Sequence, residues 1–373
     1  MSKESYESYI PENEKDIMKI ESRPQLISYS NLYDIKDSEK VKKIFVVIPT
    51  DTNEHFNKGV IYVLKKMVPE FKDASPDDIS IHYFTEGITN KIVCVTNKKN
   101  NFKVNVRTDG AYTEYVVDRA MELIVMDNCP KIKVYGTFLN GLIYTYIEGR
   151  TIDINDLKND VSTFKQTAKA IAGHHRLTPP IKKVPILFIN LRKWLSNVPL
   201  EYLDENLKLP YDINIIKKEL IFLEENLKNR SDIVFCHNDL LLKNFIKNEK
   251  SIHIIDFEYS GYNYRAFDLA NHFNEWCGFD LNWDNFPKED IQRKYLRVYF
   301  EAFYDNKKNE NDLEKEIDKL IEDIKWFDMA SNFYWGTWAL IQAALSTIDF
   351  NYCDYGRLRF KRYFELKKKL LEK

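Results

Sequence analysis

The stretch Val234–Trp276, VFCHNDLLLKNFIKNEKSIHIIDFEYSGYNYRAFDLANHFNEW, decides how the rest of the chain is read. His237-Asn-Asp-Leu-Leu-Leu-Lys-Asn244 is followed by a strand-like run ending in Ile254-Ile-Asp-Phe-Glu258. Phosphoryl transfer from a metal-bound nucleotide needs a carboxylate beside the acceptor hydroxyl, and an Asn and a second carboxylate on the metal. Asp239, Asn244 and Asp256 have those types in that order. Asp239 alone reads equally well as a helix N-cap before Leu240-Leu-Leu242. Asp256, at the end of an apolar strand, is awkwardly placed for a solvated carboxylate, and the two motifs together favour catalysis. Asp239 would orient the hydroxyl and take its proton late. Asn244 and Asp256 would offer oxygen ligands to a hard cation such as Mg²⁺. Glu258, two residues beyond Asp256, would share its strand face and either support the metal or form a local salt bridge.

Upstream, the sequence predicts a strand-rich segment. Ile44–Ile48 reads as a strand, with an amphipathic helix around Lys58–Lys66. Ile79–Phe84, Lys91–Thr96 and Phe102–Arg107 read as an antiparallel meander, and a helix is expected over 112–126. A hairpin, Lys133–Phe138 and Leu142–Ile147, turns at Asn140-Gly141. The turn Thr85-Glu-Gly-Ile-Thr-Asn90, with Thr89 and Asn90 toward the nucleotide, could present backbone N–H groups to phosphate. It is no Walker loop, and GxxxxGK[ST] is absent from the chain. Arg107 ends a strand where a cation could meet phosphate, with Glu114, Asp118 and Glu122 as alternative partners. Tyr144–Glu148 is where a hinge would offer main-chain groups to adenine. Beyond it, helices dominate: 160–175, 213–228, 287–304, 313–345 and 357–371, with Phe245–Lys247 and His253–Phe257 as the clear strands. The reading is α+β with two lobes: a polar arm (1–40), an N-lobe (41–147) and a C-lobe (148–373).

A formal net charge of −2 gives no basic field for nucleic acid or an anionic membrane. The N-terminus lacks the apolar core of a signal peptide, and no apolar run reaches membrane-span length. The five cysteines are odd in number and scattered, which argues for a reducing compartment. A cytoplasmic protein follows, and a homodimer is compatible with it.

Aromatics and carboxylates concentrate in Asn271–Trp276, Phe333–Trp338 and Tyr352–Tyr355. Aromatic faces beside a carboxylate such as Glu275 hold small organic ammonium ions; any single Trp reads better as plain core, but three such clusters in one half favour an ammonium pocket. His174-His175 reads as structural or as a helix C-terminal cation. His237 reads as a loop-holding hydrogen-bonder, and His272 as doing similar work near Asp268.

CHNDLLLKN (236–244), IDFEYSGYNYRAFDLANHFNEW (255–276) and FTEGITNKIV (84–93) resemble the choline/ethanolamine kinase family, nearest its ethanolamine branch. The resemblance runs from about Phe84 to the C-terminus. It implies a protein-kinase-like fold, related also to aminoglycoside phosphotransferases, and ATP- and Mg²⁺-dependent phosphorylation of ethanolamine on the route to phosphatidylethanolamine. By position it makes Asp239 the catalytic carboxylate and Asn244 and Asp256 the metal ligands. Arg107 becomes the phosphate-contacting cation and Thr145, Tyr146 and Ile147 the adenine hinge. Glu275, Trp335, Trp338 and Tyr355 become the amino-alcohol pocket, with His237, Glu258 and Asp268 supporting. Leu241 stands where the choline-preferring branch carries Gln. Choline kinase or a dual enzyme is the alternative, and a non-catalytic nucleotide-binding scaffold the remote one.

Overall fold

The computed structural model describes residues 28–38, 40–84, 90–110, 113–198, 213–346 and 350–372. The arm before Ser28, and Thr85–Thr89 of the expected phosphate turn, lie outside the described residues. The chain divides into two compact units. One holds Tyr33–Thr113 and Arg119–Ile147; the other holds the residues up to Leu32, Glu114–Asp118 and Glu148–Lys373.

The smaller unit is built on a six-stranded sheet. Its strands are β1 (Lys43–Ile44), β2 (Ile79–Tyr83), β3 (Lys91–Asn97), β4 (Phe102–Thr108), β5 (Val134–Phe138) and β6 (Gly141–Thr145). The order is β1-β5-β6-β4-β3-β2, antiparallel except for the β1–β5 pair. Helix α1 (Asn53–Met67) covers it, capped by Thr52, whose hydroxyl accepts the His55 N–H at 3.2 Å. Phe56, Val60, Val63, Leu64 and Met67 form its helical stripe, packed on Val93, Val95, Val104, Val106 and Ile143. Each such side chain taken from water contributes about 1.5–3 kcal/mol. At the Asn140-Gly141 turn a Cβ on Gly141 would meet the Arg107 carbonyl oxygen at 2.0 Å, so glycine lets β4 and β6 close at that register. The helix expected over 112–126 begins later: a 3₁₀ turn at Thr113–Tyr115 precedes α2 (Arg119–Asn128). The strand expected over 44–48 is also shorter, with β1 ending at Ile44, although the Leu139 N–H still donates to the Val46 carbonyl at 2.9 Å.

The larger unit is mainly helical: α3 (Ile154–Asn159), α4 (Val161–His175), α5 (Leu187–Asn197), α6 (Ile213–Leu227), α7 (Arg265–Glu275), α8 (Glu289–Phe303), α9 (Glu310–Leu345) and α10 (Tyr352–Leu371). From Phe327 to Gln342, α9 is buried on every side, so this stretch is apolar or internally paired all round. Short strands carry the signature stretch. β7 (Arg150–Thr151), β9 (Phe245–Lys247) and β10 (Ile252–Ile254) form one sheet; β8 (Ile233–Cys236) and β11 (Gly261–Tyr264) form another. The β8–β11 pair is missing from the sequence reading because Gly261-Tyr-Asn-Tyr264 has the composition of a turn. Tyr29 and Leu32, inside the stretch read as a loose arm, are buried in this unit. The Tyr29 N–H donates to Asp118 Oδ2 at 2.6 Å, and its hydroxyl hydrogen-bonds Asn190. Among the described residues no helix is long and apolar enough to cross a membrane.

Candidate active site

Strand register assembles the site of the helical unit. Cys236, the last residue of β8, pairs with Gly261, the first of β11, so the loops that follow one and precede the other are adjacent. In the β9–β10 hairpin Phe245 pairs with Ile254, and the Ile255 N–H donates to the Asn244 carbonyl at 2.9 Å. Asn244 and Asp256 therefore flank the open end of one hairpin.

The loop carrying Asp239 is held from beneath by Asp268 on α7. Its Oδ2 accepts the His237 N–H at 2.8 Å and its Oδ1 the Asn238 N–H at 2.7 Å. His175 Nε2 donates to the same Oδ2 at 2.9 Å. Burial works against ionisation of Asp268, but these donors outweigh it and hold its carboxyl below the usual range. Asn238 is left-handed, with φ 66°, and is fixed on three more sides. Its Nδ2 donates to the Tyr259 carbonyl at 2.9 Å, Asn263 Nδ2 donates to its Oδ1 at 2.8 Å, and Asn271 Nδ2 reaches its carbonyl at 3.3 Å. Backbone strain of this kind persists where the surroundings over-determine it.

The histidines are neutral hydrogen-bonding parts. His237 donates from Nε2 to the Ile255 carbonyl at 2.9 Å and accepts the Asp239 N–H at Nδ1, 3.3 Å away. His272 donates from Nδ1 to the Leu240 carbonyl at 3.0 Å, and its Nε2 accepts from Trp276 and Tyr295 at 3.2 and 2.9 Å. Burial lowers both, His272 to about 4. His175 is lowered by burial too, so it is no helix-end cation. His175, Cys236 and Asp268 lie within 4.8 Å of one another. Both Asp268 oxygens and both His175 nitrogens are engaged, the second nitrogen by the Tyr299 hydroxyl at 2.7 Å, so the trio is a brace.

Asp239 is buried, and burial together with Asp256, Glu275 and Glu258 pushes its carboxyl well above the usual range. The Asn244 amide opposes this, donating to Asp239 Oδ2 at 3.1 Å and to its carbonyl at 2.9 Å. With its N–H groups spent there, Asn244 keeps Oδ1 for another use; among the described residues nothing donates to it. That oxygen and the Asp256 carboxylate form an all-oxygen donor set suited to a hard divalent cation. Asp256 differs from expectation in one respect. β10 ends at Ile254, and Asp256 stands beyond it with φ 66°. Period-two alternation therefore does not place Glu258; a turn puts it, buried, close enough to bear on Asp239.

The aromatic residues gather at the same acids. Trp335 and Trp338 on α9 lie edge to face at 5.5 Å, with Tyr259 5.6 Å from Trp335 and Tyr355 6.4 Å from Trp338. Trp335 Nε1 donates to Asn271 Oδ1 at 2.6 Å and Trp338 Nε1 to the Tyr259 hydroxyl at 2.9 Å, so the polar edges of both indoles are satisfied. Glu275, the last residue of α7, is gripped by Arg359 of α10 at 2.7 Å. Tyr259 and Arg359 are absent from the sequence reading. Tyr259 directly follows Glu258 in the quoted stretch, and Arg359 stands one helical turn after Tyr355, which were the available signals.

In the sheet unit Arg107 is buried and pairs with Glu122 through two parallel bonds, Nη1–Oε1 at 2.6 Å and Nη2–Oε2 at 2.7 Å. Glu122 is thus the partner among the alternatives. Burial raises the Glu122 carboxyl, but Arg107 and Arg119 outweigh this and bring it to about 2. Arg119 donates to Glu122 at 3.0 Å and to Asn90 Oδ1 at 3.2 Å, and the Gly110 N–H also reaches that Asn90 oxygen at 3.2 Å. Thr145, Tyr146 and Ile147 are half-buried where the chain leaves β6; Thr89 lies outside the described residues.

Residues 81–364 match the family described as choline/ethanolamine kinase. Ethanolamine kinase 1 of Mus musculus is 34% identical over 347 residues, which is 88% of this chain and 94% of that protein. Probable ethanolamine kinase A of Dictyostelium discoideum is 35% identical over 339 residues, 86% of this chain and 95% of that one. The solved structure of a Plasmodium vivax ethanolamine kinase superposes with a TM-score of 0.74 at 26% identity, covering 85% of this chain and 90% of its own. With the loop, the hairpin and similarity along most of the sequence in agreement, the chain belongs to the choline/ethanolamine kinase family.

Proposed function

We propose that this chain is an ethanolamine kinase, moving the γ-phosphoryl group of ATP to the hydroxyl of ethanolamine to give phosphoethanolamine and ADP. The observation that carries the reading is an acidic cluster in which half-buried Asp256 and buried Glu258 and Glu275 bear on buried Asp239, beside Trp335, Trp338, Tyr355 and Tyr259. Carboxylates crowded away from water require cations. Arg359 meets part of that need at Glu275; a substrate ammonium beside Glu275 and a metal at Asn244 and Asp256 would meet the rest, and relatives aligned over 88% of the chain are ethanolamine kinases.

A divalent cation held by Asn244 Oδ1 and Asp256, which we take to be Mg²⁺, would offset phosphate charge and draw Asp239 back toward its ionised form. Asp239, aimed by the Asn244 amide, orients the acceptor hydroxyl and receives its proton late in transfer. In the sheet unit we assign phosphate contact to Arg107, steadied by Glu122, and adenine contact to the main chain of Thr145–Ile147, with Asn90 and Thr89 completing the nucleotide side. Both substrates are water-soluble, consistent with action in the cytoplasm.

Ethanolamine brings three N–H donors that need acceptors, whereas choline brings none. Measuring ADP release with Mg-ATP and ethanolamine, choline or no acceptor tests the proposal. A kcat/KM for ethanolamine about tenfold or more above that for choline is expected, because a site built to hydrogen-bond rejects the analogue lacking donors. The reverse preference would make this a choline kinase, and no turnover with either would overturn the assignment.

A further inference from the structure

Glu275 does not choose its own orientation. Arg359, fully buried on α10, donates from Nη2 to Glu275 Oε1 at 2.7 Å, and from Nε and Nη2 to the Tyr355 hydroxyl at 3.0 and 2.7 Å. Its Nη1 lies 3.4 Å from Asn332 Oδ1. Asn332 is held in turn, with its Nδ2 on Asp328 Oδ1 at 3.0 Å and on Asn274 Oδ1 at 3.2 Å. The Arg107–Glu122 pair shows the closed alternative, in which both carboxylate oxygens are taken. Arg359 takes one. Among the described residues Glu275 Oε2 accepts no hydrogen bond. The donors left over grip Tyr355, whose ring flanks Trp338 at 6.4 Å.

We infer that Arg359 is a positioning and specificity residue: one rigid guanidinium locks Glu275 and Tyr355 together, leaving Glu275 Oε2 as the directed acceptor for a primary ammonium. The inference rests on the ethanolamine reading above. A loose glutamate would have to be ordered by the substrate, at the expense of affinity. Arg359 also offsets a negative charge that would otherwise add to those of Asp239, Asp256 and Glu258. A quaternary ammonium is satisfied by aromatic faces and net charge, so it needs the direction less. Lysine cannot replace the fork, because its point charge fixes neither partner's angle.

A double-mutant cycle tests this with Arg359→Lys, which keeps the buried charge, and Glu275→Gln. Arg359→Lys is expected to raise the ethanolamine KM about tenfold and that for choline much less, with the KM for ATP unchanged. In the Glu275→Gln background the same change should add little. An equal rise in both backgrounds, or an equal loss for both amino alcohols, would show that Arg359 acts through the fold at large and would overturn the inference. If Glu275→Gln alone leaves the ethanolamine KM untouched, the ammonium reading of the pocket fails, and this inference with it. Should Arg359→Lys not fold, Tyr355→Phe takes its place with the same expectations, since it removes the gripped hydroxyl and leaves every charge.

Discussion

Asp268 Oδ1 accepts the main-chain N–H of Asn238 at 2.7 Å, so a carboxylate on α7 holds a left-handed residue directly before Asp239. The second oxygen holds His237 and His175, so both carboxylate oxygens are engaged. Asp268→Asn keeps the shape but turns one acceptor into a donor facing a donor. Breaking such a buried network costs about 3–5 kcal/mol, to be read from urea unfolding. We expect kcat to fall about 100-fold or more in whatever fraction folds, as loop geometry is lost.

Asp239 should show the opposite balance between activity and stability. Its folded carboxyl titrates well above the unfolded value near 4, so the native state retains a proton that the unfolded chain has released. This destabilises the metal-free protein as pH rises above about 4, and the effect disappears below that pH. Asp239→Asn should therefore raise the Tm in EDTA at pH 7 but not at pH 3.5, while lowering kcat by about 10²–10⁴. An unchanged Tm at pH 7 would contradict the charge-crowding account.

Divalent metal should stabilise the folded chain without nucleotide. At 100 times its Kd the ion adds about 2.7 kcal/mol. Thermal melts across a Mg²⁺ titration should show this for the wild-type chain and lose it in Asn244→Ala and in Asp256→Asn.

Arg107 and Glu122 make a testable pair in the sheet unit. Glu122 is depressed to about 2, so the stability it contributes is complete above its unfolded pKa near 4.3 and is lost as pH falls toward 2. Arg107→Met should cost about 3–5 kcal/mol at pH 7, since it strands a buried carboxylate. Most of that should return in Arg107→Met/Glu122→Leu, where no charge remains buried. The ATP KM should stay raised in both variants, which separates phosphate contact from folding.

What was legible in advance follows from physics that is local in sequence. Asn244 and Asp256 were readable because a hairpin of short strands fixes their adjacency, and Asn140-Gly141 because a tight turn demands those residues. Arg359 was not. It sits in Arg357-Leu-Arg-Phe-Lys-Arg362, which reads as the charged face of a surface helix, and only packing shows one of these cations to be fully buried. The partner of Arg107 was equally closed to sequence. Three acids at plausible spacing competed until α2 proved to start at Arg119, while Asp118 accepts from Tyr29 instead. The strand-end placement expected for Asp256 holds only approximately, since the strand stops short and a positive φ turns the residue.

Tyr29 bears on where the chain can be cut. The match to the family model begins at residue 81, yet Tyr29 fills a buried socket in the helical unit, and Ile48, Phe56 and Val63 belong to the core beneath the sheet. A recombinant fragment begun at residue 81 would leave Asp118 and Asn190 without the Tyr29 donors and open the sheet's covered side to water. One begun at Ser28 would keep both. The match to the family model thus marks the region that carries the candidate chemistry, and the folded body extends at least fifty residues further toward the N-terminus.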